Sequence, residues 1–454
     1  MKTPQENLPV AVIGAGPVGL AAAAHLIERG EQPLILEAGQ SVGHTVRKWA
    51  HIRMFSPWRY NIDSASRRLL EKAGWNEPEA EHLPTGLEIT EAYLEPLASI
   101  ESVADSLRLS HRVIAVTREG LDKVRSHGRV GHPFVIRTMD ATGNIAIHRA
   151  KAVIDASGTW ENPNPMGTDG LSVPGEEAVS SRIHYGIPDL SGSPGNDFAG
   201  AHVLVVGSGH SSFNAILDLL HLKDRHPDTT ITWAMRKTKP GNVFGGGAAD
   251  ALPARGELGQ RVREAVESGA IKVLSPMSIE GLAENSGHSS IKVHAEVAGA
   301  PVELMVERIV VTTGFRPDLG FSREIRLRLD PALECVEQLG PLIDPNEHSC
   351  GSVRPHGAKE LAHPDLGYYI VGMKSYGRAP TFLLATGYEQ VRSVVAEISG
   401  DHEAAAKVEL DLPETGVCRL SEPEEDSSSC CGDQKLPFHL PPVPRKETSA
   451  NCCG

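Results

Sequence analysis

The stretch VAVIGAGPVGLAAAAHLIERGEQPLILE, residues 10–37, decides the fold of this chain. It begins with a run of small and β-branched apolar residues, which predicts a buried parallel strand. Gly14, Gly16 and Gly19 follow at the spacing G-x-G-x-x-G, and the alanine-rich segment after them predicts a helix. A second short apolar strand then ends in Glu37. This order of strand, glycine turn, helix and strand with a terminal acid predicts a dinucleotide-binding unit.

The glycines and the acid each have a separate physical role in such a unit. Gly14 permits the tight turn, Gly16 lets the backbone approach a pyrophosphate, and Gly19 allows the helix to pack closely on the strand. The free N–H groups at the helix N-terminus then face the phosphates. Glu37 lies 18 positions beyond Gly19, where its carboxylate can accept hydrogen bonds from a ribose diol. A chance glycine pattern would not explain the strand, the helix and the acid together.

The composition of the whole chain favours a cytoplasmic α/β protein. Its 454 residues suffice for two or three domains, and its 45 glycines suit many strand-to-helix turns. The chain has 44 basic and 58 acidic residues, and no basic cluster is long enough to follow a nucleic-acid backbone. The apolar segment 10–27 contains Pro17 and the three glycines, which fits a strand, turn and helix better than a signal peptide or membrane span. We therefore expect neither a nucleic acid nor a membrane as a partner.

A second glycine turn predicts a second nucleotide-binding unit. Residues 202–206 form an apolar strand, and Gly207 and Gly209 follow it at the same spacing as before. Ser212 replaces the third glycine and is still small enough for close packing of the helix after it. This second turn has the sequence features of the first except for that substitution.

The next strand of the second unit, residues 230–235, ends in Arg236 and Lys237 rather than in an acid. A carboxylate at this position favours a free ribose 2′-hydroxyl, whereas cations pair with a 2′-phosphate. We therefore predict NADPH in preference to NADH. A solvated strand end, with no role in binding, is the alternative for these two cations.

The fold class that we expect is α/β, with two Rossmann-like domains, the second inserted into the first, and a disordered tail. Residues beyond Gly400 are rich in Pro, Ser and charged residues, which is typical of disorder. The expected boundaries are 1–165 for the first part of the first domain, 166–305 for the second domain, 306–400 for the second part of the first domain, and 401–454 for the tail.

This arrangement resembles the two-dinucleotide-binding flavoproteins, and within that class it is most similar to the flavin-containing monooxygenases. The resemblance covers about residues 10–400 and implies FAD in the first domain and NAD(P)H in the second. Four motifs carry the resemblance. The first is Gly14, Gly16 and Gly19 with Glu37, and the second is Ser181–Tyr185, which is similar to a histidine-aromatic signature. The third is Thr313–Phe315, which is similar to the domain-linking ATG motif, and the fourth is Glu389–Arg392, which is similar to an acid-Gln-Arg stretch on the last flavin-side helix.

The resemblance also implies roles for residues outside the two glycine turns. The segment 41–63 is rich in Trp, Arg and His and predicts a loop that enters a cofactor or substrate cleft, with an ordinary packed surface loop as the alternative. On this loop, Asn61 and Arg53 are candidates for orienting the reactive oxygen, with structural hydrogen bonding as the alternative. Trp49 either forms a wall for the flavin or anchors the loop. The motifs add Gly314 and Gln390 to the cofactor-binding residues.

Two features depart from reductases of the same class. Those enzymes carry a Cys-x2-Cys or Cys-x4-Cys pair that faces the flavin, but the first cysteine of this chain is Cys335. Many relatives also use an Asp on the flavin ribityl chain, where this chain has Gly372-Met373. Both departures favour monooxygenase over disulfide-reductase chemistry.

Cysteine pairs near the end of the chain carry the second functional signal. Five of the seven cysteines lie within the last 37 residues, and the tripeptide Cys-Cys-Gly occurs twice, with pairs Cys430-Cys431 and Cys452-Cys453. Adjacent thiolates are soft ligands that suit thiophilic ions such as As(III), Sb(III) or Hg(II). Cys418 would complete a three-sulfur site. A redox relay and a tail without function are the alternatives.

We therefore expect an FAD- and NADPH-dependent oxidoreductase, similar to flavin monooxygenases of the type associated with arsenic resistance. Its partners would be a small-molecule substrate, a soft nucleophile, and a thiophilic metalloid such as As(III); we also consider a homodimer. One alternative is a flavin-dependent thiol/disulfide or metal(loid) reductase that uses the tail cysteines as a relay. The other is a metalloid-binding flavoprotein without catalytic activity.

Overall fold

The computed structural model describes residues 7–236, 243–244, 253–285, 289–347, 356–379 and 382–410. The strands in these residues are β1 Val10–Ile13, β2 Pro33–Leu36, β3 Leu107–Arg108, β4 Arg112–Arg118, β5 Phe134–Met139, β6 Ile145–Ala150, β7 Ala152–Asp155, β8 Ile183–Tyr185, β9 His202–Val206, β10 Thr230–Ala234, β11 Lys272–Leu274, β12 Met277–Glu284, β13 Ile291–Val297, β14 Ala300–Val306, β15 Arg308–Val311 and β16 Tyr368–Ile370. The α-helices are α1 Pro17–Glu28, α2 His44–Arg47, α3 Ser64–Lys72, α4 Gly86–Ile89, α5 Glu95–Ala98, α6 Glu101–Ala104, α7 His210–Arg225, α8 Pro253–Glu267, α9 Gly340–Ile343, α10 Leu384–Ile398 and α11 His402–Ala406.

The first sheet is parallel and confirms the α/β fold predicted from residues 10–37. Its strand order is β16-β7-β1-β2-β3. At its carboxyl edge, Ile13 pairs with Leu36 on one side and with Asp155 on the other. Strand β7 thus returns to this sheet, as its apolar sequence indicates. Helix α1 begins at Pro17, directly after Gly16, because proline suits the first turn of a helix.

The second sheet is also parallel and has the strand order β11-β10-β9-β15-β8. Successive residues of β9 face two different hydrophobic cores: Val203 and Val205 belong to one, and Leu204 and Val206 to the other. Both faces of this sheet are therefore covered, as its continuous apolar strands require. Strand β15 extends to Val311, so the second sheet continues past the boundary predicted at residue 305.

Two antiparallel sheets of three strands accompany the parallel sheets, with the orders β4-β5-β6 and β12-β13-β14. Strand β6 has only a weak apolar alternation, because its polar residues His148 and Arg149 are adjacent. Between Gly86 and Ala104 the chain forms the short helices α4 to α6, with a π-helical stretch at Thr90–Leu94. Helix α8 begins with Pro253 in its first turn, a position that suits proline.

No helix among the described residues is both long and apolar enough to cross a membrane.

Candidate functional site

The first glycine turn is built so that only glycine fits at two of its three positions. Gly14 has a φ of +100°, and a Cβ atom there would lie 2.8 Å from the carbonyl oxygen of Ala156. A Cβ atom at Gly19 would lie 2.0 Å from the carbonyl oxygen of Gly14. At Gly16, by contrast, a Cβ atom would meet no atom within 4 Å. The turn is therefore closed towards the sheet and open at the start of α1, where a phosphate would approach.

The first turn of α1 is suited to an anion. Gly16 is the N-cap residue, no side chain caps the helix, and the first turn contains no acidic residue. The N-terminal N–H groups of a helix carry a partial positive charge that attracts phosphate. The geometry of the turn and the charge of the helix thus fit a pyrophosphate at this position.

Glu37 lies at the carboxyl end of β2 and is 9% exposed. One carboxylate oxygen accepts a hydrogen bond from the Ala15 backbone N–H at 2.6 Å, and the other accepts from the Gly39 N–H at 2.7 Å. A carboxylate offers about four acceptor positions, so two remain for ribose hydroxyls. Glu37 is therefore fixed against the glycine turn in an orientation that fits its predicted role.

The second glycine turn repeats the geometry of the first. Gly207 has a φ of +131°, and a Cβ atom there would lie 2.6 Å from the carbonyl oxygen of Thr312. Gly209 is open, with no atom within 4 Å of a Cβ atom, and is the N-cap residue of α7. Ser212 is fully buried, and its hydroxyl donates a hydrogen bond to the Gly209 carbonyl oxygen. The serine therefore fills the third glycine position and also stabilises the turn.

The cation pair predicted to select NADPH is described only in part. Arg236 lies two residues after the end of β10 and is exposed, as a residue that binds a 2′-phosphate would be. Lys237 lies outside the described residues. The prediction of NADPH over NADH thus depends on Arg236 in this structure.

An apolar cleft lies where four parts of the chain meet. These are the loop 41–63, called the aromatic loop below, the start of α7, the end of β15 and the start of α10. Trp160 stacks on Phe315 with ring centroids 4.6 Å apart, and Trp49 lies 6.3 Å from Trp160. The ring of Phe55 lies 6.0 Å from that of His210, the first residue of α7. The residues that line the cleft are Trp49, Ile52, Arg53, Met54, Phe55, Trp160, Pro163, Gly186, Ile187, His210, Ser211, Asn214, Val311, Thr312, Gly314, Phe315, Phe382, Leu383 and Leu384.

Of the residues predicted from the sequence, the cleft brings together Trp49, Arg53 and Gly314. The guanidinium of Arg53 donates a hydrogen bond to the carbonyl oxygen of Leu83, which holds the guanidinium at the edge of the loop. Gly314 has a φ of +87°, and its carbonyl oxygen accepts from the Asn164 N–H at 2.9 Å. The loop and the segment that links the two domains thus form adjoining walls.

Asn61 lies away from the cleft and is fully buried. Its side-chain amide donates to the carbonyl oxygens of Ser56 at 2.7 Å and Pro57 at 3.1 Å, and its side-chain oxygen accepts from the Ser56 hydroxyl. Its own carbonyl oxygen accepts from the hydroxyl of Tyr388. These contacts hold the Asn61 amide inside the loop, which agrees with the structural alternative named for it above, and the catalytic role of Asn61 stays a prediction.

Gln390 is also fully buried, on α10. Its side-chain oxygen accepts a hydrogen bond from the Gly372 N–H at 2.7 Å, and its amide donates to the Ser375 hydroxyl at 2.9 Å and contacts His356 at 2.8 Å. Two residues further on, Arg392 forms a bidentate pair with Glu389. Gln390 thus fixes the turn after β16, and any effect on a cofactor would pass through that turn.

A buried ion pair at the carboxyl edge of the first sheet was missed from the sequence. Lys374 and Asp155 are both fully buried at the side chain, with Nζ 2.8 Å from the carboxylate. Lys374 lies in the turn after β16, and Asp155 is the last residue of β7. A single lysine within the otherwise uncharged segment YYIVGMKSYG is the signal that could have identified it.

The cysteines of the described residues do not reach the cleft. Cys335 is fully buried in the core of the first domain, and burial raises the pKa of its thiol to about 12. The described residues contain no group of three His, Cys, Asp or Glu side chains that could bind a metal ion. Cys418, Cys430, Cys431, Cys452 and Cys453 lie outside the described residues.

Comparison with solved structures identifies the fold that these features share. The bacillithiol disulfide reductase of Bacillus cereus is similar with a TM-score of 0.64 and 19% identity, covering 87% of this chain and 99% of that one. An ornithine hydroxylase from Pseudomonas aeruginosa is similar with a TM-score of 0.54 and 15% identity, covering 88% of this chain and 100% of that one. A flavin monooxygenase from Stenotrophomonas maltophilia is similar with a TM-score of 0.52 and 20% identity, covering 87% of this chain and 98% of that one. No curated protein sequence matches the chain.

A sequence family assigns the chain more directly. The family described as pyridine nucleotide-disulphide oxidoreductase matches residues 11–338, which span both glycine turns, the cleft loop and all of the second sheet. The protein is accordingly a pyridine-nucleotide oxidoreductase with two dinucleotide-binding domains. The chain belongs to the pyridine nucleotide-disulphide oxidoreductase family.

Proposed function

We propose that this enzyme transfers an oxygen atom from O2 to a soft nucleophile, with NADPH as the electron donor. The observation that carries the proposal is the apolar cleft: it adjoins the second glycine turn, has aromatic walls, and contains no cysteine among its lining residues. NADPH, a proton, O2 and the substrate would give NADP⁺, water and the oxidised substrate. A sulfide, an amine or a trivalent arsenic compound has the lone pair that this reaction needs.

The first domain would bind FAD, and its residues fit that cofactor. The open position at Gly16 would receive the pyrophosphate, and Glu37 would accept hydrogen bonds from the ribose. Gly14 and Gly19 would shape the turn, Trp49 and Gly314 would contact the ring system, and Gln390 would act through the turn at Gly372. When bound, FAD supplies the redox chemistry, because it accepts electrons from NADPH and activates O2.

The second domain would bind NADPH in the corresponding way. Gly207 and Gly209 would receive its pyrophosphate at the start of α7, with Ser212 supporting the turn. Arg236 and Lys237 would pair with the 2′-phosphate. His210 and Asn214, near the start of the same helix, line the cleft, so a nicotinamide that extends from this turn would enter the cleft.

The walls of the cleft would exclude water during turnover. Trp160 and Phe315 lie stacked at its side, and Phe382 and Leu383 lie near the start of α10. Exclusion of water protects reactive oxygen species from unproductive breakdown. Arg53 is the arginine among the residues that line the cleft. Its position at the edge of the loop 41–63 suits it to orient the reactive oxygen.

A thiol/disulfide or metal(loid) reductase remains the second candidate, because the family description names disulphide oxidoreductases. In that case the tail cysteines would have to act as the relay, since Cys335 is buried and its thiol has a raised pKa. A thiol that stays protonated is a poor nucleophile. Membership of an oxidoreductase family favours an enzyme over the third hypothesis, which was a metalloid-binding protein without catalytic activity.

The tail pairs Cys430-Cys431 and Cys452-Cys453 would bind trivalent arsenic or a similar metalloid. Two neighbouring thiolates chelate one soft ion, and a third sulfur from Cys418 would complete the site. The tail would thereby concentrate a metalloid substrate near the enzyme. A cytoplasmic location and a homodimer stay predictions, which cell fractionation and light scattering would check.

Steady-state NADPH oxidation tests the proposal. We expect a simple sulfide and As(III) to stimulate both NADPH oxidation and O2 consumption. Changing all four paired cysteines to Ser should raise the As(III) concentration needed for half-maximal stimulation and leave the response to the sulfide intact. Loss of turnover with a disulfide reporter in the same variant, together with no O2 consumption in the wild type, would establish the reductase instead.

A further inference from the structure

The buried ammonium of Lys374 joins two chain segments at the carboxyl edge of the first sheet. Its Nζ donates to the Asp155 carboxylate at 2.8 Å and to the Ser157 hydroxyl at 3.0 Å, and it lies 4.3 Å from the centre of the Phe321 ring. Both charged side chains have no exposed surface. Three partners therefore satisfy the three N–H groups of the ammonium, which a buried lysine requires.

Asp155 has equally complete surroundings. One oxygen accepts from the Ser157 hydroxyl at 2.6 Å, and the other accepts from Lys374 and from the Tyr368 hydroxyl at 3.3 Å. The Asp155 carbonyl oxygen also accepts from the Val371 N–H. The segment after β7 and the turn Gly372–Tyr376 after β16 are thus connected by both side chains and backbone.

Both of these segments lie directly against the first glycine turn and its helix. A Cβ atom at Gly14 would lie 3.2 Å from the Cα atom of Ser157, as well as 2.8 Å from the Ala156 oxygen. A Cβ atom at Gly372 would lie 3.4 Å from the side chain of Val18, in the first turn of α1. The Lys374 contacts therefore connect the two segments that support the phosphate-binding turn from the sheet side.

We propose that Lys374, with Asp155 and Ser157, is a positioning group for FAD. It would hold the segment 155–158 and the turn Gly372–Tyr376 in the register that keeps the first glycine turn open at Gly16. This inference rests on the proposed placement of FAD in the first domain.

The chain provides a matched control for this proposal. Lys151 pairs with Glu31 at the amino ends of β7 and β2, on the opposite edge of the same sheet. This pair is also only slightly exposed, at 18% and 17% of the two side chains. Lys151→Met therefore removes a lysine ion pair from the same sheet without touching the glycine turn.

The experiment measures the dissociation constant of FAD for apoprotein of the wild type and of the variants Lys374→Met, Ser157→Ala and Lys151→Met. We expect Lys374→Met to weaken FAD binding about tenfold or more, because it leaves the Asp155 carboxylate buried without its counterion. Ser157→Ala keeps the ion pair and should weaken binding severalfold. Lys151→Met should stay within about twofold of the wild type.

A spectroscopic measurement separates positioning from a general loss of stability. At saturating FAD, the visible absorption band of the flavin should differ between Lys374→Met and the wild type, and should be unchanged in Lys151→Met. Equal FAD affinities and spectra in the wild type, Lys374→Met and Ser157→Ala would overturn the proposal, as would equal losses in Lys374→Met and Lys151→Met. If Lys374→Met does not fold, Ser157→Ala alone decides between these outcomes. Wild-type apoprotein that takes up no FAD would overturn the FAD assignment, and this inference with it.

Discussion

Gly14 packs so closely against Ala156 that a Cβ atom at Gly14 would lie 2.8 Å from the Ala156 carbonyl oxygen. The relationship recurs between Gly207 and Thr312, where the corresponding distance is 2.6 Å. In both sheets the first glycine of the turn contacts the chain that leaves the neighbouring strand. The two nucleotide-binding units therefore use the same local packing, and the same substitution can be compared in each.

Gly14→Ala and Gly207→Ala should produce separate defects. An alanine at either site has a positive φ and a backbone clash, which together cost about 2 kcal/mol or more. We expect Gly14→Ala to lose FAD during purification. Gly207→Ala should keep its FAD and show a raised KM for NADPH. Loss of FAD in Gly207→Ala with retention in Gly14→Ala would reverse the assignment of the two domains.

Glu37→Gln should weaken FAD binding while the fold is retained. Glutamine can accept a hydrogen bond from only one of the Ala15 and Gly39 N–H groups, since its second terminal atom is a donor. The neutral amide also makes weaker hydrogen bonds to the ribose hydroxyls than the carboxylate does, and a charge-assisted bond is worth about 1.5–3 kcal/mol, or about tenfold or more in affinity. Titration of apoprotein with FAD checks this, and Glu31→Gln, outside the turn, is the control. Unchanged affinity would remove Glu37 from the site.

Arg236→Ala should shift the preference from NADPH towards NADH. Because the guanidinium would pair with the 2′-phosphate, its removal should raise the KM for NADPH about tenfold and leave the KM for NADH nearly unchanged. Arg225→Ala removes an exposed arginine at the end of α7 in the same domain and should alter neither value. Parallel changes in the two KM values for Arg236→Ala would assign Arg236 to a solvated strand end.

Asn61→Ala should affect stability more than chemistry. It removes the Asn61 donor from the buried carbonyl oxygen of Ser56, which costs roughly 1–3 kcal/mol, whereas the carbonyl oxygen of Pro57 still accepts from the Tyr60 N–H. We expect a lower thermal midpoint together with a kcat that is close to that of the wild type. A fall in kcat at an unchanged thermal midpoint would instead establish the catalytic role predicted from the sequence.

Asp63 should make the protein sensitive to acid. Burial opposes ionisation of this carboxyl, but His25, at 2.9 Å, and the Ser66 N–H hold its pKa below the usual value. A lowered pKa in the folded state contributes stability that is present above the unfolded-state pKa, near 3.9. That contribution is lost as the pH falls through the folded-state pKa. Asp63→Asn can still cap α3, so its stability deficit should be constant near neutrality and shrink below about pH 4. Thermal midpoints across this pH range provide the check, and a deficit that grows on acidification would contradict it.

Local sequence patterns were sufficient for both nucleotide-binding units. The strands at Val10–Ile13 and His202–Val206 and the glycine spacings after them are properties of short segments, and the structure has them as predicted. The cleft was predicted only through its loop, because Trp160 and Phe315 come from distant parts of the chain. No spacing rule relates those two residues.

Asn61 and Lys374 show why site residues are harder to predict than the fold. Asn61 lies on the loop 41–63, and the composition of that loop suggested a role for Asn61 at the cofactor. In the structure, the side-chain amide of Asn61 is directed into the loop, where it contacts Ser56 and Pro57. Lys374 gains its importance from Asp155, 219 residues earlier, which strand pairing brings beside it. Both outcomes depend on three-dimensional contacts that residue type alone does not determine.

Oxygen transfer in a cleft without cysteine is the central claim, and turnover under labelled O2 tests it most directly. The FAD-loaded enzyme is supplied with NADPH and a simple organic sulfide under isotopically labelled O2, and the product is analysed by mass spectrometry. The account predicts equal consumption of NADPH and O2, with labelled oxygen in the product. NADPH oxidation that proceeds equally well without O2, with a disulfide or metal ion reduced and no label in any product, would contradict it.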